Sequence, residues 1–167
     1  VQTNTFISTY PGFFILLAAI MTNLLAQLTK FLIDRIITKK WDIEVLFSTG
    51  GMPSSHTAFV TSTLISVGLV NGVSSVDFAL AFVLAAIVLH DALGIRREAG
   101  KQAMMINAIV ADFLELTEIL HEEKIVETTD YNKKLKEFLG HEPIEVLGGI
   151  IFGSLVTFII YGVIVNT

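Results

Sequence analysis

Gly50-Gly-Met-Pro-Ser-Ser-His-Thr-Ala-Phe-Val-Thr-Ser-Thr-Leu-Ile-Ser-Val-Gly-Leu-Val70 is the point at which an apolar chain turns on paired glycines and starts a new helix. Pro53 suits a first helical turn, where a missing N–H costs nothing, and the hydroxyls of Ser54 and Ser55 can cap free backbone donors or hydrogen-bond a ligand. The N–H groups left over and the helix dipole make a place for an anion, with His56 one turn in. An ordinary capped helix start with an incidental histidine has the same appearance, so the segment has to be read with its neighbours.

Those neighbours are apolar. The chain of 167 residues is 53% hydrophobic and 16% charged, with a mean hydropathy of +0.70, whereas a soluble domain carries about a quarter charged residues. Three stretches approach the roughly 20 apolar residues that cross a bilayer: Pro11 to about Ile33, Val76 to about Leu93, and Pro143 to about Val165. A fourth, Ser54 to about Val70, is shorter and richer in Ser and Thr, whose hydroxyls can bond the backbone carbonyl one turn back and so cross inside a bundle. The expected fold is an all-α integral membrane bundle forming one membrane domain over residues 1–167. It has about four transmembrane helices and one amphipathic cytoplasmic helix. With no basic stretch and cleavage site ahead of it, the first apolar segment reads as a retained span.

There is no cysteine, which excludes disulfides and thiolate chemistry. A net charge of −5 without a basic, aromatic-laced stripe argues against nucleic acid. All eleven Lys and Arg fall into three clusters: Lys30, Arg35, Lys39 and Lys40; Arg96, Arg97 and Lys101; and Lys124, Lys133, Lys134 and Lys136. Four crossings would put all three on one face, and positive charge marks the cytoplasmic side. Both termini are therefore expected outside, in the cytoplasmic (plasma) membrane. Between Glu98 and about Glu123, apolar residues from Ala99 and Ala103 through Ile106, Val110, Phe113 and Leu114 recur at helical spacing, with Asp112, Glu115, Glu118 and Glu122 largely opposite. This is an amphipathic helix lying on the cytoplasmic surface or against the bundle. A charged connection follows to Gly140, with a short helix expected over 131–139.

Two helix starts bring one histidine each to the basic face. His56 precedes the second span, and His141 precedes the last in Gly140-His-Glu-Pro-Ile-Glu145. On a helix, Glu145 lies one turn along from His141, where its carboxylate could take the Nδ1 proton and leave Nε2 free as nucleophile or base. The alternative is a capping histidine beside a dipole-stabilising glutamate. Arg96 and Arg97 suit bidentate phosphate binding or simple cytoplasmic anchoring, and Asp91 beneath them calls for a partner. Asn23, Gln27 and Lys30 share one helical face, which favours an inward Lys30 over a snorkelling one. His90 reads as a packing residue, His121 as solvated, and Gly149 with Gly153 as a close helix-packing pair. No metal or other cofactor is called for.

Taken together, Lys30, Gly50-Gly-Met-Pro-Ser-Ser-His56, Asp91-Ala-Leu-Gly-Ile-Arg-Arg97 with Ala99-Gly100, and Gly140-His-Glu-Pro-Ile-Glu-Val146 resemble the type-2 phosphatidic acid phosphatase superfamily, which includes the vanadium haloperoxidases. The closer likeness is to its divergent branch of short bacterial and plant membrane proteins. The resemblance covers roughly Asn23 to Gly153. It implies phosphate binding by Lys30 and an arginine (Arg96 or Arg97), an anion cradle from Ser54 and Ser55 supported by Gly51, His56 as acid to the leaving oxygen, and His141 as nucleophile held by Glu145. Gln27 and Asp91 would support these groups. The wider superfamily's pattern is Lys-x6-Arg-Pro, Pro-Ser-Gly-His and Ser-Arg-x5-His-x3-Asp. Here Ser55 replaces Gly, Glu145 replaces Asp, Ile37 stands seven after Lys30, and Arg97 lies 44 residues before His141.

The expected function is that of a metal-independent, vanadate-sensitive membrane phosphohydrolase acting through a phosphohistidine on a lipid or isoprenoid mono- or diphosphate. The alternative is a non-catalytic membrane protein that binds phospholipid headgroups or a protein partner on the same scaffold. A homodimer through the glycine-lined face of the last helix is expected, because about 18 kDa is little material to enclose a lipid.

Overall fold

The computed structural model describes residues 5–39, 41, 43–47, 50–119 and 143–166. Its elements are α1 (Thr5–Thr9), α2 (Pro11–Thr38), a 3-10 turn (Ile43–Phe47), α3 (Ser55–Asn71), α4 (Val76–Leu93), α5 (Ile95–Ile119) and α6 (Pro143–Val165), with no strand among the described residues. Local chemistry sets most of the ends. Proline occupies the first turn of α2 and of α6. Gly72, at φ 83°, ends α3. Ser75 then caps α4 by accepting from the Phe78 N–H at 3.1 Å. Asp77 in the first turn complements the dipole and accepts from Asn71 Nδ2 at 2.6 Å, closing the α3–α4 turn.

The first helix outruns the span expected to end near Ile33. It continues to Thr38, whose hydroxyl donates to the Asp34 carbonyl at 3.0 Å, and it closes on Lys39 in the left-handed conformation. The Arg35 guanidinium lies 4.8 Å from the centre of the Trp41 ring, and Trp41 packs on Phe31 at 5.5 Å between centroids. An aromatic and cationic collar of this kind belongs at a membrane–water boundary, where one side of each group is apolar and the other wet.

α3 is the centre of the bundle. It runs antiparallel to α2 (Thr22 beside Ser62) and to α4 (Gly68 beside Phe78), and parallel to α6 (Gly149, Gly153 and Thr157 beside Thr57, Ala58 and Ser62). Outward faces carry large apolar side chains such as Leu24, Leu28, Phe82, Ile87, Ile151 and Phe158, while the interior holds Ala18, Ala26, Ala58, Thr22, Ser62, Ser66 and Thr157. Small residues within and large ones without is the arrangement of a protein solvated by lipid, where close backbone approach replaces the hydrophobic drive between helices. This is an integral membrane helical bundle. Among the described residues, the helices long and apolar enough to cross are α2, the α4–α5 run Val76–Leu116, and α6. α3, of 17 residues, is about 25 Å long and sits sheltered among them.

Three hydroxyls tie the interior. Thr157 Oγ1 lies 2.6 Å from the Gly153 carbonyl and 2.7 Å from Ser62 Oγ, which is 3.1 Å from Thr22 Oγ1. One hydroxyl carries one proton, so the consistent arrangement has Thr157 donating back to Gly153, Ser62 donating to Thr157, and Thr22 donating to Ser62. Each proton then has an acceptor in a place without water. The glycine pair also finds its partner within the chain. A Cβ on Gly149 would stand 2.7 Å from the Ser54 carbonyl, and one on Gly153 would stand 2.6 Å from that of Ala58. The face expected to serve a homodimer is thus filled by α3 of the same chain.

α1 and the end of α6 meet at the opposite pole from Lys30, where Ile7, Phe14 and Ala18 pack with Tyr161 and Ile164. The amphipathic helix expected over 98–123 begins earlier, at Ile95, directly after Gly94. Its early residues Gly100 and Ala103 are buried, while Ile106, Ile109, Phe113 and Leu114 are uncovered. Residues 120–142, which include the short helix expected over 131–139, His121 and His141, lie outside the described residues.

Candidate functional site

Because α2 is antiparallel to α3 and α6 is parallel to it, the end of α2 and the starts of α3 and α6 share one pole of the bundle. Two positive helix termini and Lys30 therefore converge there. Lys30 is turned inward and only 4% exposed. Its stem lies against Gly51: a Cβ on that residue would be 2.8 Å from Lys30 Cδ and 3.2 Å from Cγ, and Gly51 has φ +98°. Glycine is thus required twice over, for the backbone conformation and for the space that the lysine fills. One turn back, Gln27 and Asn23 are half-buried on the same side, and Gln27 Oε1 is buried without a partner among the described residues.

α6 holds the loop in place. The Gly51 N–H donates to Glu145 Oε1 at 3.1 Å, and the Ser54 N–H donates to the Glu145 main-chain oxygen at 3.2 Å. Ser54 is the cap of α3 and accepts from the Thr57 N–H at 3.3 Å. Pro53, expected in the first helical turn, therefore stands before the cap. The helix start is set by Ser54, whose amide is drawn away to α6. Ser54, Ser55 and Thr57 are buried, and His56, the second residue of α3, is exposed at the pole. Met52 folds over Gly148, where a Cβ would be 2.9 Å from Met52 Cε.

Glu145 is expected to orient His141, which lies outside the described residues. Among those that are described, its side chain accepts from the glycine loop, and its charge bears on Lys30. The spacing of His141 and Glu145 carried no sign of a partner 94 residues away. Thr57 was not singled out by sequence either. It is fully buried against Gly149, and its Oγ1 has no partner among the described residues. The only sequence sign of it is its place three residues after the capping serine.

The other sequence candidates fall as follows. Asp91 is half-buried and His90 exposed at the end of α4. Arg96 and Arg97 lie in the first turn of α5, with their side chains outside the described part, as is all of His141. Arg35 is engaged with Trp41, and Ile37, at the position where the wider superfamily has arginine, is 74% exposed. Among the described residues the pole therefore offers a buried ammonium, a positive-φ glycine loop, a helix N-terminus and the Glu145 carboxylate. Such a set binds an anion strongly when it is free to do so.

Residues 13–156 match the family described as the Divergent PAP2 family. The chain is also 41% identical over 147 residues to YuiD, an uncharacterized membrane protein of Bacillus subtilis (strain 168), covering 88% of this chain and 93% of that protein. No solved structure matches it. Family match, relative and the helical bundle agree, and the chain belongs to the divergent PAP2 family of membrane proteins.

Proposed function

We propose that the protein is a metal-independent phosphohydrolase that removes phosphate from a lipid or isoprenoid mono- or diphosphate at the cytoplasmic face of the plasma membrane. The observation that carries this reading is the inward Lys30 packed on Gly51 at the start of α3. A buried ammonium at the edge of a membrane bundle marks a functional site by default, and here it stands beside a helix N-terminus that suits a phosphoryl group. In this mechanism Lys30, the α3 N-terminus and Arg96 or Arg97 hold the phosphoryl oxygens. His141 Nε2 attacks phosphorus as the bond to the leaving oxygen breaks, and His56 gives that oxygen its proton. Water, deprotonated by His56, then cleaves the phosphohistidine and releases inorganic phosphate. The exposure of His56 at the pole suits an exchange of protons with an incoming headgroup. The depth of the site, next to lipid-facing helices, favours an amphiphile whose tail stays in the bilayer.

The test is phosphate release by the purified protein in detergent from phosphatidylglycerophosphate, phosphatidate and prenyl diphosphates, with and without orthovanadate. Release that vanadate blocks and that Lys30→Met abolishes supports the reading. Binding of these lipids without any release would favour the non-catalytic scaffold.

A further inference from the structure

The carboxylate of Glu145 occupies a backbone donor that a phosphoryl oxygen could also use. It accepts the Gly51 N–H at 3.1 Å, from the loop against which Lys30 is packed, and its negative charge bears on Lys30. The main chain of the same residue holds the Ser54 amide at 3.2 Å, so α6 grips the loop by a fixed backbone bond and by a movable side chain. Only the side-chain bond uses groups that an anion would also want. We propose that Glu145 is a resident anion, which occupies the phosphate site when it is empty and which a phosphate-bearing ligand must displace to bind.

This rests on the phosphate-site reading above and adds a regulation to it. A buried ammonium without a counter-charge would be costly in the empty protein; Glu145 supplies that charge. The same carboxylate makes every anion compete for the site, so the observed affinity is the intrinsic one reduced by the fraction of molecules in which Glu145 has moved away. Weakly charged or poorly fitting anions fail that competition, while a dianionic phosphate monoester, with more charge and more acceptors, prevails over it. The aliphatic stem of Lys30 is fixed on Gly51, so the exchange needs rotation of the Glu145 side chain alone, with the Ser54 amide still held.

The test is binding of inorganic phosphate to the full chain in detergent micelles by titration calorimetry, comparing wild type, Glu145→Gln and Lys30→Met. Glu145→Gln keeps an acceptor for Gly51 and removes the competing charge, so phosphate should bind at least about tenfold tighter, toward the lower end of what one close charge–charge contact gives between bulk water and a protein surface. Unchanged or weaker binding in Glu145→Gln, with wild type binding phosphate, overturns the resident-anion role and leaves the phosphate site standing. No binding by wild type or Glu145→Gln removes the phosphate site and this inference together. If Glu145→Gln fails to fold, the wild-type NMR signals of the Gly51 amide and the Glu145 carboxylate serve instead. Both should move together as phosphate saturates, and a Glu145 signal that stays fixed at saturation overturns the inference.

Discussion

Replacing Gly153 by alanine puts a methyl group 2.6 Å from the Ala58 carbonyl oxygen and 3.0 Å from its Cα, both of them main-chain atoms that no rotamer can move. Ordinary contact begins near 3.4 Å, so α6 and α3 must part by roughly 0.8 Å. That displacement lengthens the Ser62–Thr157 contact, now 2.7 Å, to the limit of a hydrogen bond. Overpacking of this sort costs about 1–3 kcal/mol. A hydrogen bond lost within a bilayer adds about 0.6 kcal/mol, and alanine's better helix propensity returns up to about 1 kcal/mol. The net expectation is a loss of about 1–3 kcal/mol. Gly162 is the internal control, since a Cβ there meets nothing within 4 Å, and Gly162→Ala should be neutral or slightly stabilising. Reversible unfolding in mixed micelles with increasing dodecyl sulfate, followed by helical circular dichroism, measures both. If Gly153→Ala proves as stable as Gly162→Ala, α6 does not seat on α3 through this glycine and the placement of Glu145 over the loop loses its basis.

Ser62→Ala removes the hydroxyl shared by Thr22 and Thr157 and should cost about 1 kcal/mol in the same unfolding assay. A Ser62→Ala protein of full stability would mean the three hydroxyls contribute nothing across the helices. Gly51→Ala meets both a left-handed backbone and the Lys30 stem, and it should weaken phosphate binding at least about tenfold and lower stability by the about 1–3 kcal/mol that strain of this kind costs. Binding unaffected by Gly51→Ala would contradict the contact between loop and lysine. Ser75→Ala removes the cap that accepts from Phe78 and should lower stability by about 1 kcal/mol while leaving phosphate binding unchanged. An effect on binding would show that the two poles are coupled.

Much of the bundle was legible because apolar length and helix punctuation are local. α4 and α6 begin and end where the apolar stretches do, helped by Ser75, Gly94 and Pro143. The apolar span of α2 ends near Ile33, before Asp34 and Arg35, whereas the helix itself continues to Thr38 with the Asp34–Thr38 bond and the Arg35–Trp41 contact at its end. Back-bonding hydroxyls were expected on α3, and Thr63 does bond the Phe59 carbonyl at 2.9 Å. Ser62 instead reaches across to two other helices, which no local pattern could reveal. Gly149 and Gly153 announced a close helix contact but not its partner, because a small-residue face fits a neighbour in the same chain as well as one in another. In the candidate site, the inward turn of Lys30 followed from its polar neighbours Asn23 and Gln27. The bond from Gly51 to Glu145 depends on the register of α3 against α6 and had no signature in the spacing around His141.

The central proposal is a covalent phosphohistidine formed at the pole where Lys30 and Gly51 meet. Its most direct measurement is a single turnover with 32P-labelled lipid phosphate, quenched in alkali and resolved for label on the protein. Wild type should carry transient, acid-labile label that is absent from His141→Ala and from Lys30→Met. Substrate turnover with no labelled protein at any time, or label that survives in His141→Ala, would contradict the proposal.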